Sequence, residues 1–463
     1  MIAPGYRPNR LATDGLRRSL TRSLTRACRK AVRVPALLCL ALSIGGCASG
    51  AGEPLGAGDL ALLQGAMRQV EKNYVVPVKS ERLVDNALKG MLTRLDPHSD
   101  YMSAREYREL LATTSGRFGG VGIEISVENG VPQVIAAIDG TPAAAAGIEP
   151  GDRIVKADGQ PIIGLEISEV VRRLRGNPGT PVVLTIARAN RQSFDLPITR
   201  AVIRVDSVKS ALKAGRIGYV RIATFDENTP TALRLALSGM RQQAGGQLAG
   251  LVLDLRNDAG GLLDSAVAVA NDFLDSGTIV STRGRRLDEN RVYEAISKSD
   301  LIRGTSIVVL INGASASAAE IVAGALQDNR RATILGTRSF GKGSVQSIIP
   351  IDGNGALRLT TALYYTPSGN SIQGQGITPD RVVTLPKEAQ VANAVITYES
   401  DLFGALKATG PFAPNGNGAS AAPARTRRIA DEDRPINPKI IGTAQDAQLN
   451  AALGLLNAPM AAR

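Results

Sequence analysis

Ser306-Ile307-Val308-Val309-Leu310-Ile311-Asn312-Gly313-Ala314-Ser315-Ala316-Ser317-Ala318-Ala319-Glu320-Ile321 is the stretch on which the fold turns. Its first six residues are mostly β-branched and predict a buried strand. Asn312 and Gly313 break that strand, and the alanine-rich run from Ala316 predicts a helix. Glu320 follows Ser317 by three residues, as a capping box requires, while Ile321, Val322, Ala325 and Leu326 recur at helical spacing. A serine at such a junction lies beside the free backbone N–H groups of the first helical turn.

Working outward, a second strand, Ala332 to Leu335, leads into Gly336, Gly341 and Gly343, which bracket Lys342 in a loop too glycine-rich for a packed helix. A serine hydroxyl needs a base before it attacks a carbonyl. The chain has one histidine, His98, and its three cysteines, Cys28, Cys39 and Cys47, all lie near the N terminus, so a Ser–Lys pair is the economical candidate. An unperturbed lysine titrates near about 10.4, and burial must lower that by roughly two to three units, about 3 to 4 kcal/mol, to make it a base. Ile334, Leu335 and Phe340 are the apolar neighbours available for this. Donors for a developing oxyanion are the N–H of Ala318 and the turn Ala259-Gly260-Gly261 after the predicted strand Leu251 to Leu255, with Gly261 preferred over Gly260. The glycines before Lys342 are in the wrong order for a phosphate-binding loop.

The chain has 463 residues, 44% of them hydrophobic, enough for two or more domains with real cores. With no tryptophan and 3% aromatics it offers no stacking platform for nucleic acid. The formal charge of +12 is mostly local: residues 1–47 carry eight arginines and one lysine against Asp14, leaving +4 for the rest. That segment is ordered as a secretion signal, basic to Arg33, apolar from Val34 to Ile44, then small, and is shorter than the roughly 18 apolar residues of a membrane span. Its end, Ile44-Gly45-Gly46-Cys47, resembles a bacterial lipoprotein signal, which implies a lipidated Cys47 anchored in the periplasm or cell envelope. The alternative is an incidental leader cysteine and a soluble exported protein. A mature chain starting at Cys47 has no thiolate nucleophile and no cysteine-based zinc site, and one histidine excludes a site built of several imidazoles, so neither metal nor cofactor is expected.

After a flexible tether, Leu60 to about Leu110 has helical periodicity broken at Pro77 and at Asp96-Pro97. His98, within Leu95-Asp96-Pro97-His98-Ser99, is read as a turn or cap contact. From Phe118 to about Arg200 short strands alternate with glycines around one amphipathic helix, Ile167 to Leu174. This module resembles a PDZ domain, with Gly119-Gly120-Val121-Gly122-Ile123 matching the carboxylate-binding loop and first peptide-pairing strand. The resemblance implies that Gly120, Val121, Gly122 and Ile123 bind a peptide C terminus, a mode in which a strand edge pairs with an extended chain. Beyond Val205, strand, turn and helix recur, predicting a mixed or parallel sheet covered by helices. Residues 408–438, rich in alanine, proline, glycine and asparagine, read as a loose linker or insertion, and Gln445 to Leu456 as a helix.

The junction quoted first, together with Gly341-Lys342-Gly343-Ser344-Val345-Gln346, resembles the active-site motifs of the carboxyl-terminal processing, or tail-specific, proteases of the S41 peptidase family. Leu95-Asp96-Pro97-His98-Ser99, the PDZ-like segment, Gly218-Tyr219-Val220-Arg221-Ile222 and Asp254-Leu255-Arg256-Asn257 with Gly260-Gly261 follow in that family's order, over about residues 60–390. By motif position the resemblance implies Ser317 as nucleophile, Lys342 as general base and Gln346 as the residue that orients the lysine, Ser315 being the earlier, non-nucleophilic serine. It implies an α/β fold: a crotonase-like serine protease core with an inserted PDZ domain and a helical N-terminal region. The expected division is a leader at 1–47, tether and helical region at 48–112, PDZ domain at 113–200, protease core at 201–400, low-complexity linker at 401–440 and terminal helix and tail at 441–463. The implied partners are polypeptides with accessible C termini, an activating adaptor, a homo-oligomer and, through Cys47, the membrane. Asp258-Ala259 stands where Asn-Pro is more familiar, and Ala319 where serine is frequent. The first departure keeps open a PDZ-containing binding protein with an inactive core. A serine esterase is the other alternative.

Overall fold

The computed structural model describes residues 56–458 except 129, 139, 166, 189, 190, 205, 392–397 and 408–434. The leader with Cys47, residues 48–55 and most of the low-complexity stretch lie outside the described residues. The chain falls into two units at Ala66/Met67, the first described only from residue 56, where helix Ala57–Asn73 begins. The second unit carries the sheets and the candidate site.

Its centre is a six-stranded sheet in the order Val208–Lys213, Ile217–Ile222, Gly250–Asp254, Ser306–Ile311, Ala332–Gly336, Arg381–Val382. The first pair is antiparallel and every other pairing parallel. Both faces are covered, which is why the strands read as unbroken apolar runs. Ile307, Val309 and Ile311 pack toward helices Thr229–Gln243, Leu263–Asn271 and Ala318–Asp328, while Val308 and Leu310 pack toward Leu449, Ala452 and Leu456 of helix Ala447–Asn457. One strand thus serves two cores through its two-residue period.

The other half of the core is an antiparallel five-stranded sheet. The long strand Gly355–Tyr365 pairs with Asp100–Met102, with Thr278–Gly284 and with Ser344–Ile351, and Arg291–Glu294 lies beyond Thr278–Gly284. The expectation of a crotonase-like core is corrected by this architecture. The core is an α/β fold in which a mostly parallel sheet carries the serine, and one strand of a separate antiparallel sheet, Ser344–Ile351, begins two residues after Lys342. Strand, turn and helix repeats report only the first layer, because the second is made of hairpin pairings without crossover helices.

Between the helices of the N-terminal region and the parallel sheet the chain leaves through strand Arg117–Gly120 and returns through Ala201–Arg204, which pair only with each other. The intervening module has the sheet order Ile123–Glu128, Val131–Ala137, Arg153–Ala157, Pro181–Ala187, Phe194–Thr199, with its own apolar core around Ile154, Leu184 and Ile186 and helix Ile167–Leu174 packed on it through Val170 and Leu174. Ile123–Glu128 is an edge strand, paired on one side only.

Candidate active site

The turn after Ser306–Ile311 is laced by side chains before it reaches the serine. Ser315 is fully buried; its hydroxyl donates to the Leu255 carbonyl at 2.7 Å and accepts from the Asn312 N–H at 2.9 Å. Ser315 is therefore committed to the turn. Ser317, half-buried, has φ 56° and ψ −113°, a conformation that costs a non-glycine residue strain and persists only where neighbours hold it. Its N–H donates to Glu320 Oε2 at 2.8 Å.

Glu320 is also what joins the serine to the lysine loop. Fully buried, it accepts from the Ser339 hydroxyl at 2.6 Å and from the N–H groups of Gly341 at 2.7 Å and Lys342 at 2.9 Å. Burial pushes its carboxyl up to about 7, against these donors and the Ser317 N–H, which favour the ionised form. The loop is tied down again by Phe340 N–H to the Ser315 carbonyl and by Gly343 N–H to Gln373 Oε1 at 2.9 Å. Gly343 has to be glycine: a Cβ there would lie 2.4 Å from the Gln373 nitrogen.

Burial lowers the Lys342 amine below the ordinary lysine value. The Glu399 carboxylate opposes that shift, Arg358 adds to it, and Glu320 and Asp96 oppose it more weakly. Among the described residues the amine makes no hydrogen bond. The Tyr364 hydroxyl donates to Ser317 Oγ at 3.1 Å and is also in hydrogen-bond contact with the Lys342 carbonyl. A phenol carries one proton but also accepts, so it can donate to the carbonyl while the Ser317 hydroxyl donates to it. Burial raises its pKa and keeps it protonated.

The glycine turn closes on the serine from the neighbouring strand. A Cβ on Gly260 would lie 2.8 Å from Ser317 Cβ and 2.9 Å from the Ala318 nitrogen. The Gly260 N–H is taken by Asp258 Oδ1 at 2.8 Å, and among the described residues the N–H groups of Gly261 and Ala318 donate no hydrogen bond. Asp258 is fully buried, its Oδ2 has no partner, and burial pushes its carboxyl up to about 8. At neutral pH it is mostly protonated.

Gln346 donates from its amide to Ser344 Oγ at 2.9 Å and to Thr360 Oγ1 at 3.2 Å. Gly120, Val121, Gly122 and Ile123 are gathered where the two-stranded ribbon enters the inserted module. The Val121 carbonyl accepts from Ala143, and that of Gly122 from Ile138 and the Thr141 hydroxyl. Sequence reasoning read Glu320 as a helix-start or packing contact and had no signal at all for Tyr364, which sits in an ordinary β-prone run. The one clue for Glu320 was its spacing from Ser317.

Three family models match the chain: Peptidase family S41 over residues 216–383, PDZ domain over 133–188, and Activating protease CtpB N-terminal domain over 49–106. The chain is similar to the carboxy-terminal-processing protease of Bartonella bacilliformis, 47% identical over 391 residues that cover 84% of this chain and 86% of that one. It is also similar to the carboxy-terminal processing protease CtpA of Bacillus subtilis, 34% identical over 341 residues covering 73% and 72%. Among solved structures, the photosystem II D1 C-terminal processing protease is 30% identical with a TM-score of 0.42, over 72% of this chain and 95% of that one.

Proposed function

The chain belongs to the carboxy-terminal processing proteases of peptidase family S41, and on that premise we propose that Ser317 is its nucleophile, Lys342 the general base and Gln346 the residue that orients the lysine. It is a serine endopeptidase with a PDZ domain that recognises the C-terminal regions of polypeptide substrates. Its α/β core with the inserted PDZ domain has the family S41 fold rather than a crotonase-like one.

In this reading the neutral Lys342 amine takes the Ser317 proton as the oxygen attacks the scissile carbonyl, and the resulting ammonium protonates the leaving amine. Water then hydrolyses the acyl-enzyme by the same route. The N–H groups of Gly261 and Ala318 receive the developing oxyanion. Gln346 uses its amide on Ser344 and Thr360, which leaves its carbonyl oxygen to hold the lysine. Gly120, Val121, Gly122 and Ile123 receive the substrate's C terminus, the peptide adding to the free edge of Ile123–Glu128. The PDZ domain at 113–200, the core at 201–400, an activating adaptor and a homo-oligomer belong to the same reading. So does residence in the bacterial cell envelope, with Cys47 as lipid anchor.

The observation that carries it is the strained Ser317 junction, joined by one buried carboxylate to the loop of a lysine whose proton affinity burial has lowered. The test is mass-spectrometric mapping of products from C-terminally varied polypeptides. Ser317→Ala and Lys342→Ala are expected to abolish cleavage in folded protein, whereas Ser315→Ala keeps it and loses about 1–3 kcal/mol of stability from the two buried groups left unpaired. Cleavage that survives both catalytic substitutions sinks the assignment.

A further inference from the structure

Opposite Glu320, the lysine loop has a second anchor that the mechanism above does not use. The Gly343 N–H donates to Gln373 Oε1, and Gln373 Nε2 in turn donates to Glu399 Oε1 at 2.8 Å; both side chains are fully buried. Glu399 lies 2.8 Å from His98 Nε2, the chain's sole imidazole, which is itself mostly covered. His98 is fixed from behind, since its N–H donates to Asp96 Oδ1 and its carbonyl accepts from Arg358 Nε. Three distant pieces of chain thus meet on one loop: a turn of the N-terminal region, the segment after the long antiparallel strand, and the short 3₁₀ turn Glu399–Asp401.

We propose that His98, Glu399 and Gln373 form a positioning chain for the lysine loop, with Gln373 holding its backbone, Glu399 holding Gln373, and His98 holding Glu399 in turn. The chemistry has a definite sign. Burial of the amine favours its neutral form, and Glu399 is the largest opposing influence. The other charges facing the amine are Arg358 from the long strand, Glu320 from the nucleophile helix and Asp96 from the N-terminal turn, and Tyr364 lies beside them as a neutral phenol. His98 holds the Glu399 carboxylate through a hydrogen bond that shares its charge, so loss of the imidazole leaves that charge freer to act on the amine.

The inference concerns the Ser–Lys reading, yet its test reads the amine directly. In full-length Ser317→Ala protein, acetylation of Lys342 by a small anhydride is followed against pH by peptide mapping. Glu399→Gln keeps an acceptor for Gln373 and removes the charge; it is expected to move the Lys342 midpoint to lower pH by about one unit. His98→Ala removes the hydrogen bond that shares the Glu399 charge, and is expected to move the midpoint the other way. It is the decisive variant if Glu399→Gln fails to fold, because His98 sits at a partly exposed turn. In the serine-intact protein the acid limb of kcat/KM should follow the same two shifts. Midpoints that stay put in the folded variants overturn the proposal, whatever cleavage does. Midpoints that move without the acid limb leave the proposal standing and remove Lys342 from the role of base.

Discussion

At Asp258 burial decides the charge. The carboxyl has one N–H donor, from Gly260, and an orphan oxygen, so its affinity for a proton rises from the usual 3.8 to about 8. The folded value lies above the unfolded one. The folded state thus keeps a proton that the unfolded chain releases, and this group's contribution to stability is lost as pH rises from about 4 to about 8. Asp258→Asn keeps the acceptor for Gly260 and removes the titration. It is expected to gain stability at pH 8 relative to pH 5 by about 3 to 4 kcal/mol, to be read from thermal unfolding at the two pH values, with cleavage retained. An unchanged pH dependence counts against a protonated Asp258. The residue pattern alone showed only that an acid stood where an amide is more familiar, because the sign of its effect depends on desolvation, a property of the packed turn. Motif position alone told apart the two serines of Ser315-Ala316-Ser317; their hydroxyls stand one inside the turn and one beside Tyr364.

Among the elements, the parallel strands were the most legible. Ser306–Ile311, and with it the antiparallel strand Pro181–Ala187, begin and end where their composition changes, the first because both its faces are buried and the second because its apolar run sends every other residue into the core of the inserted module. Thr278–Gly284 and Arg291–Glu294 escaped notice: they mix threonine, arginine and glutamate with few apolar residues, and only their antiparallel partners make them strands. Helix Ala447–Asn457 is a further case in which tertiary contacts decide. Asp446 accepts the Leu449 N–H at its start and shares with Asp254 the fully buried Arg256 guanidinium. Neither carboxylate can be removed without leaving that cation under-compensated inside the protein. Asp446→Ala is therefore expected to cost about 3–5 kcal/mol in denaturant unfolding. A loss below about 1 kcal/mol means that water or Asp254 alone satisfies Arg256.

On the scale of the whole molecule, the PDZ domain communicates with the core through a ribbon of two short strands, and the residues assigned to peptide binding begin where that ribbon ends. Gly122 is the tightest of them: its φ is 84°, and a Cβ would lie 2.3 Å from that of Thr141. Gly122→Val is expected to raise KM at least about tenfold for substrates recognised by their C termini while leaving the kcat of a short tail-independent peptide alone, since the change displaces the loop proposed to cap a carboxylate and no group at the serine. Equal losses on both substrates would mean that the loop acts on chemistry as well. The ribbon itself has a practical corollary. Arg117 and Arg204 face each other across its outer end, so a genetic splice there joins two chain ends that are already neighbours. Replacing everything between them by a tight hairpin should yield a shorter polypeptide that still assembles the serine and lysine sheets, while the excised piece, with a nucleus of its own, should behave as an autonomous miniature protein.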